Sequence, residues 1–420
     1  MRKILVYSHD TFGLGNIRRM LSISRHLIEA VPDVSILLIT GSPMIHGFRI
    51  PEGLDYIKLP CLTRTDSEAY AVKSLGTDLE NLMRMRADLV LTAAANFAPD
   101  LLLVDKKPFG VKNELAPVLR HLRACRPHAK NVLILRDILD TPEATIPVWQ
   151  KNDYHGAIRA YYDEVHVLGM PGIFDLRREY QVPRSVSKRF RFCGYTLREA
   201  GRKSREEARR EMNLDAAEKL VVVTPGGGED GDRLLHAYLD GLAIPGAGEH
   251  HSLLVCGPEM KAPQRDELAR RAAAHRRVRL LEFTDDLMSY LDASDLVISM
   301  GGYNTICEIL TLRKRAIVVP RAQPVAEQWI RAERMAQKGL FTAIHPDQLT
   351  APALMDAVRR ELAVSDSPSA AHDVIELNAL PQIAKAIRRL LATTPREPRE
   401  AQSPRLLVGG LNSLAFAGSL

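Results

Sequence analysis

Residues 283–328 have the sequence FTDDLMSYLDASDLVISMGGYNTICEILTLRKRAIVVPRAQPVAEQ, and this stretch decides the fold. It contains two short apolar runs, Asp295–Met300 and Ala316–Val319, which are typical of strands buried on both faces of a sheet. Between them lie a Gly301-Gly302 turn and a segment of helical length that carries Glu308. The stretch therefore predicts a strand–helix–strand unit of a parallel sheet.

The same alternation extends outward along the chain and predicts two doubly wound parallel sheets in an α/β protein. The predicted strands are Lys3–Ser8, Val34–Thr40, Leu101–Asp105, Asn131–Arg136 and Glu164–Leu168 in the first half, and Leu220–Thr224, Ser252–Cys256, Val278–Phe283, Asp295–Met300 and Ala316–Val319 in the second. The first helix places its apolar residues on one stripe and Arg18, Arg19 and Arg25 largely off it.

The length of 420 residues favours two domains, since one domain usually takes about 100–200 residues. The charged stretch Leu197–Asn213 is typical of a linker that runs into an amphipathic helix. We therefore expect domains over 1–196 and 197–394. Residues 395–420 begin PREPREAQSPR, whose prolines and mixed charges predict a flexible tail, with the final apolar residues either docked or loose.

Composition limits the classes of function. Hydrophobic residues are 46% and charged residues 26% of the chain, as in a globular protein without membrane spans, and a strand-like start in place of a signal peptide favours the cytoplasm. Five widely separated cysteines without a CxxC pair indicate neither disulfides nor a zinc site. The net charge of +6 would suit phosphate-bearing ligands or anionic lipid. Nucleic acid is disfavoured, because acidic residues are interspersed and aromatic residues are 5%.

The loop after the first strand, Ser8–Arg19, has the sequence SHDTFGLGNIRR. Gly13 and Gly15 allow a tight turn before a helix N-terminus, which favours a bound anion. A dinucleotide site is disfavoured, because the third glycine of its fingerprint and the acidic residue after the second strand are missing. The alternative is that the glycines only shape a turn and Asn16 caps the helix.

A second loop, Thr224–Asp232, has the sequence TPGGGEDGD. Backbone N–H groups at Gly226, Gly227 and Gly228 are left uncovered, so a diphosphate could lie against them. The lysine of a P-loop is absent. An ordinary glycine-rich connection remains the alternative.

The third loop follows Met300 and suggests recognition of a polyol. A carboxylate at Glu308, one turn inside a helix that starts at glycines, can accept two hydroxyls of a ribose. Glu327 and Gln328, after the next strand, can bond further hydroxyls. The alternative for Glu308 is a solvated helix carboxylate.

These motifs resemble glycosyltransferase family 28, the MurG-like group of the GT-B fold. The resemblance covers the chain up to the proline-rich tail and is most specific in the second half. The matching positions are Phe283, Asp285, Leu287, Tyr290, Ser294-Asp295-Leu296-Val297-Ile298, Gly301-Gly302, Cys307-Glu308-Ile309, Pro320 and Glu327-Gln328.

The resemblance implies two Rossmann-like domains that face each other across a cleft and a UDP-sugar donor, with no cofactor. Glu308 would bind the ribose, the backbone near Phe283 and Thr284 the nucleobase, Gly226–Gly228 the diphosphate, and Glu327 and Gln328 the sugar. It adds Gly13, Gly15, Gly301, Gly302, Asn304 and Thr305 to the donor site. The implied reaction is an inverting hexosyl transfer, of GlcNAc in that group, without a metal.

One position departs from the pattern. Related enzymes have a histidine, their likely base, where this chain has Asn16, and an amide cannot take up a proton in this role. We expect His9 or Asp10 to replace it, or catalysis to be slow or lost. A sugar-nucleotide hydrolase or epimerase, or a silent nucleotide-sugar-binding protein, therefore stays open.

The acceptor is expected in the first half, but the sequence does not identify it. Basic residues near the cleft would favour a lipid diphosphate or an anionic saccharide, with peripheral contact at the inner face of the plasma membrane; they are Arg18, Arg19, Lys106 and Lys107. Asp105 and Asp137 follow predicted strands, and we expect structural ion pairs with the adjacent Lys106 and Arg136 as one alternative to catalysis.

Overall fold

The computed structural model describes residues 1–9, 15–64, 70–228, 230–364 and 370–393. Asp10, Gly13 and the predicted tail 395–420 lie outside the described residues. The strands of the first half are β1 (Arg2–Ser8), β2 (Val34–Thr40), β3 (Leu54–Lys58), β4 (Leu62–Arg64), β5 (Tyr70–Val72), β6 (Leu101–Asp105), β7 (Lys130–Arg136), β8 (Glu164–Leu168) and β9 (Phe190–Phe192). Those of the second half are β10 (Leu220–Thr224), β11 (His251–Val255), β12 (Val278–Leu281), β13 (Leu296–Ser299), β14 (Ala316–Val318) and β15 (Thr342–Ala343).

Helices connect these strands. They are α1 (Gly15–Ala30), α2 (Leu79–Phe97), α3 (Ala116–Cys125), α4 (Pro142–Lys151), α5 (Tyr154–Tyr161), α6 (Leu176–Glu179), α7 (Arg184–Ser187), α8 (Arg205–Glu211), α9 (Asp232–Leu242), α10 (Ala262–Ala273), α11 (Leu287–Ala293), α12 (Tyr303–Leu312), α13 (Glu327–Ala336), α14 (Ala351–Ala363) and α15 (Ala379–Ala392). Among the described residues, none of these helices is long and apolar enough to cross a membrane.

Two parallel sheets organise the chain, as predicted. The first has the order β3-β2-β1-β6-β7-β8-β9 and the second the order β12-β11-β10-β13-β14-β15. Neighbouring strands are parallel throughout both sheets. A separate antiparallel pair, β4 and β5, lies outside them. Central strands such as β1, β6 and β10 are almost wholly buried, which explains why their apolar runs were recognisable.

All ten predicted strands are present, with bounds that shift by two residues at most. The sheet strands without a prediction are β3, β9 and β15, and each lies at the edge of its sheet. Edge strands pair on one side only and keep exposed polar residues, as in the FRF sequence of Phe190–Phe192. They therefore lack the continuous apolar run by which the central strands were predicted.

In each sheet the strand order reverses next to one central strand. β1 lies between β2 and β6, and β10 lies between β11 and β13. In open parallel sheets such reversals leave a crevice beyond the carboxyl ends of the strands, and ligands bind there.

The last helix of the described chain returns to the first half. α15 packs against α1, and Arg2 Nη2 donates to the Leu391 carbonyl at 2.7 Å. Ile383 and Ile387 on α15 are fully buried in a core cluster that includes residues of both sheets. The domain division at residue 196 remains a prediction, and α15 joins the two halves.

Candidate functional site

A cleft of about 1360 Å³ lies where the carboxyl ends of both sheets meet. Its walls follow β1, β6 and β7 of the first sheet and β10, β11, β13 and β14 of the second. The predicted site residues that line it are Gly15, Asn16, Gly226, Gly227, Gly228, Phe283, Thr284, Gly302, Asn304, Thr305, Glu308, Glu327 and Gln328. His9 and Gly301 are described but do not line the cavity. The structure thus brings most of the predicted donor site together.

The glycine-rich loop after β10 forms part of this wall. Gly228 has a φ of +96°, and a Cβ there would lie 2.2 Å from the Cys256 carbonyl oxygen at the end of β11. Close packing of two backbones therefore accounts for Gly228 without any ligand. Gly226 and Gly227 line the cavity, and the Gly226 N–H donates to Thr224 Oγ1 at 3.2 Å. Gly226 and Gly227 thus face the cavity, but their contact with a diphosphate remains a prediction.

The turn after β13 opens the N-terminus of α12 toward the cavity. Gly301 has a φ of +73°, and a Cβ there would lie 2.6 Å from Val318 Cγ1, so the position needs glycine. Gly302 is the cap residue, and a Cβ there would meet no atom within 4 Å. The free N–H groups of a first helical turn carry a partial positive charge. The start of α12 is therefore suited to an anion.

Glu308 lies one turn further along α12. It is only 2% exposed, so the alternative of a solvated helix carboxylate is wrong. Arg18 Nη2, from α1 in the first half, donates to Glu308 Oε1 at 3.1 Å. The Arg18 side chain is 43% exposed and lines the cavity. Sequence reasoning placed both residues near the cleft but did not predict that they pair.

Glu327 is also buried and also holds an arginine of the first half. Arg136 Nη1 donates to Glu327 Oε1 at 2.8 Å, and Arg331 Nη2 lies 3.5 Å from Oε2. Burial raises the pKa of this carboxyl, but the charges of Arg136, Arg331 and other nearby cations outweigh it and hold the pKa below its usual value. Glu327 is therefore ionised at neutral pH.

The other predicted polar and aromatic positions lie around these carboxylates. Gln328 Oε1 accepts the N–H of Arg321 at 3.1 Å. Asn304 Oδ1 accepts from Arg198, which links α12 to the segment between the halves. Phe283 is 55% exposed on the cavity wall, unusual for a large apolar side chain and suited to stacking on a flat ring.

Arg331 and Asp137 form a buried ion pair across the cleft that the sequence did not reveal. Arg331 Nε and Nη2 donate to the two Asp137 oxygens at 2.8 Å each, and Tyr195 Oη donates to Asp137 Oδ2 at 3.2 Å. The predicted pairing of Asp137 with Arg136 is wrong. Consecutive residues at a strand end point to opposite faces, so a neighbour in sequence is a poor partner.

Asp105 likewise pairs with Arg19 and not with the adjacent Lys106. Arg19 Nη2 lies 2.6 Å from Asp105 Oδ1 and also donates to Asn16 Oδ1 at 2.9 Å. Arg19 is 4% exposed, so the expectation that it lies off the buried stripe is wrong. It does line the cavity, and its role toward the acceptor remains a prediction. The buried carboxylate at the end of β6 draws the guanidinium inward.

Asn16 and His9 belong to the same cluster. Asn16 Nδ2 donates to the His9 carbonyl at 2.5 Å, so this amide links the start of α1 to the end of β1. The His9 side chain is 1% exposed and packs edge-on to Tyr7, with ring centroids 6.5 Å apart. Burial, and then the charges of Lys106 and Lys107, lower the pKa of its imidazole well below the usual value. A neutral imidazole can accept a proton, but the catalytic roles of His9 and Asn16 remain predictions.

Two parallel-sheet domains around one cleft define the GT-B fold. Residues 221–387 match the C-terminal domain of glycosyltransferase family 28, so the chain carries a domain of that family. The predicted fold is confirmed, and the predicted family resemblance is confirmed over residues 221–387.

Comparison with known proteins agrees with this assignment. An uncharacterised glycosyltransferase of Methanopyrus kandleri is 24% identical over 50% of this chain and 56% of its own length. The UDP-N-acetylglucosamine–N-acetylmuramyl-(pentapeptide) pyrophosphoryl-undecaprenol N-acetylglucosamine transferase of Glaesserella parasuis is 34% identical over 20% of this chain and 23% of its own. The match therefore spans about half of the first relative and about a quarter of the second.

A solved structure extends the likeness to the first half. The glycosyltransferase of kitacinnamycin has a TM-score of 0.62 over 93% of this chain and 99% of its own, at 16% identity. At this identity the likeness shows the fold alone.

Proposed function

We propose that this protein is a glycosyltransferase that takes a hexosyl group from a UDP-sugar and transfers it, with inversion and without a metal, to an acceptor held by the first half. The observation that carries the proposal is Glu308, a buried carboxylate on the cavity wall one turn from the open start of α12. Vicinal ribose hydroxyls are natural donors to such a group.

The order of groups along the wall supports a nucleoside diphosphate. Thr305, one turn before Glu308, lies beside the glycine loop, since a Cβ on Gly226 would be 3.5 Å from Thr305 Oγ1. A ribose at Glu308 would therefore direct its phosphates toward the loop amides and the α12 N-terminus. These dipoles would stabilise the departing diphosphate, the role that a metal plays in other sites.

The name of one relative supports a UDP-sugar donor and suggests a lipid-linked acceptor. The G. parasuis relative is named for a UDP-N-acetylglucosamine donor and a pyrophosphoryl-undecaprenol acceptor. By analogy, GlcNAc is our first candidate for the transferred group. A lipid-linked acceptor would bring this protein to the inner face of the plasma membrane, and Lys106 and Lys107 on the cleft wall suit its phosphates.

Calorimetric binding of UDP, GDP, dTDP and NAD tests the donor site. We expect UDP to bind the wild-type protein and Glu308→Ala to weaken it about 10- to 100-fold, the usual effect of losing hydrogen bonds to a charged group. Glu199→Ala is the matched control, since it removes an exposed carboxylate from the same cavity wall. Binding that is indifferent to Glu308, or no nucleotide binding at all, would contradict the proposal.

Product analysis separates the other activities of this fold. Release of free UDP from a UDP-sugar without an added acceptor would favour a hydrolase, and a changed sugar on intact UDP would favour an epimerase. Binding without turnover, even with extracts that supply acceptors, would favour a silent binding protein. Asn16→His tests whether restoring an imidazole raises the rate of transfer.

A further inference from the structure

The side chain of Arg18 contacts the Glu308 carboxylate at the place where a nucleotide would bind. Arg18 Nη2 donates to Glu308 Oε1 at 3.1 Å, from a helix 290 positions earlier in the chain. Both side chains line the same cavity, but the Glu308 side chain is buried and the Arg18 side chain is 43% exposed. A buried carboxylate without a partner is costly, so Arg18 stabilises Glu308 when the cavity holds only water.

The arginines that hold the neighbouring carboxylate, Glu327, are less exposed than Arg18. Glu327 is held by Arg136, whose side chain is mostly buried, and by Arg331, which is fully buried. Arg331 is itself locked by two bonds to Asp137. Moving either arginine away from Glu327 would disturb a buried network. Moving Arg18 disturbs little, because its guanidinium already faces the open cavity.

We infer that Arg18 is a placeholder at the ribose position, which occupies Glu308 in the free protein and is displaced when a nucleotide binds. This inference rests on the proposed function, because it assumes that Glu308 accepts the ribose hydroxyls. A ribose whose two hydroxyls each bonded one oxygen of Glu308 would meet the Arg18 guanidinium at Oε1. Nucleotide binding therefore includes the cost of breaking the Arg18–Glu308 contact. Arg18 thus lowers the affinity for the nucleotide without contacting the atoms that react.

A second consequence concerns the two halves. The Arg18–Glu308 contact joins α1 to α12, so nucleotide binding breaks one ionic link between the halves while the Asp137–Arg331 link remains. Donor entry thus loosens one side of the cleft. The broken contact lies at α1, on the first-half wall of the cleft, where we propose that the acceptor binds.

The test measures binding of the nucleoside uridine as well as UDP. Uridine carries no charge, so removing the positive charge of Arg18 does not by itself lower the affinity for it. Arg18→Ala should bind uridine about two- to fivefold more tightly than wild type, the range that a partly exposed ion pair allows. The gain should vanish in the Glu308→Ala background, because the contact is already absent there. Arg25→Ala is the matched control: it removes an arginine of the same helix and cavity that bonds the Arg49 carbonyl at 2.6 Å instead.

A measurement on the wild-type protein complements the variants. Raising the salt concentration weakens a half-exposed ion pair, so wild-type affinity for uridine should rise with salt and that of Arg18→Ala should stay flat. Unchanged or weaker uridine binding in Arg18→Ala, or an equal gain in the Glu308→Ala background, overturns the placeholder while leaving the donor site intact. Nucleotide binding indifferent to Glu308→Ala overturns the proposed function itself.

Discussion

The two central strands, β1 and β10, occupy equivalent places in their sheets, but different groups lie beyond their carboxyl ends. Beyond β1, a compact cluster of charged and polar side chains occupies the crevice, with Arg19 paired to Asp105 and Asn16 bonded to the His9 carbonyl. Beyond β10, Gly226 and Gly227 leave backbone open to the cavity. The same topology thus gives two crevices with different contents, a filled crevice beyond β1 and an open crevice beyond β10.

The largest loss of stability should come from removing the buried ion pair of the filled crevice beyond β1. Arg19→Ala leaves Asp105 as a buried carboxylate without its cation, and we expect the free energy of unfolding to fall by about 3–5 kcal/mol. Denaturant titration followed by circular dichroism measures it. Arg18→Ala, one residue earlier and half-exposed, should cost less, about 1 kcal/mol, because Glu308 lines the open cavity and water can replace the arginine there. Equal losses in the two variants would contradict the distinction between a filled and an open crevice.

An intermediate loss of stability should come from altering the glycine loop of the open crevice beyond β10. Gly228→Ala places a Cβ against the Cys256 carbonyl at a φ of +96°, and we expect a loss of about 1–3 kcal/mol together with loss of UDP binding. Gly302→Ala is the control for stability alone, because its φ is −57° and a Cβ there meets no atom within 4 Å. Thermal unfolding and calorimetry measure both variants. A stable, UDP-binding Gly228→Ala protein would show that the loop shape is not critical.

The smallest effect concerns pH and the buried imidazole of the filled crevice. The pKa of His9 is lowered in the folded protein, so below pH 6.5 the unfolded chain takes up a proton that the folded protein does not. The free energy of unfolding should therefore fall as pH drops from 6.5, by at most about 1.4 kcal/mol per pH unit from this group. His9→Gln should reduce that slope, measured by denaturant titrations between pH 7 and 5.

A second buried histidine provides the positive control for this measurement. Burial lowers the pKa of His250 in the second half to about 4, so His250→Gln should also reduce the slope. If His250→Gln reduces it and His9→Gln does not, the filled crevice does not hold a neutral imidazole.

The sequence predicted the second-half wall of the cleft better than the first-half wall. Glu308, Glu327 and Gln328 follow strands and glycine turns within one short stretch, so local pattern was enough to place them together. On the other side, Asp105 and Asp137 were recognised at strand ends, but their partners were predicted from adjacency and were wrong. The partners lie on helices far along the chain, where no local period points to them.

The two parallel sheets and the loops that line the cleft follow from local sequence, because buried strands need continuous apolar runs and tight turns need glycine. Only the tertiary structure decided which arginine neutralises which carboxylate. Arg18 and Glu308 are 290 positions apart, and Arg331 and Asp137 are 194 apart. Such pairs form because a buried carboxylate requires the cation that the packed sheets and helices bring within reach, and that distance is a property of the fold and not of any segment.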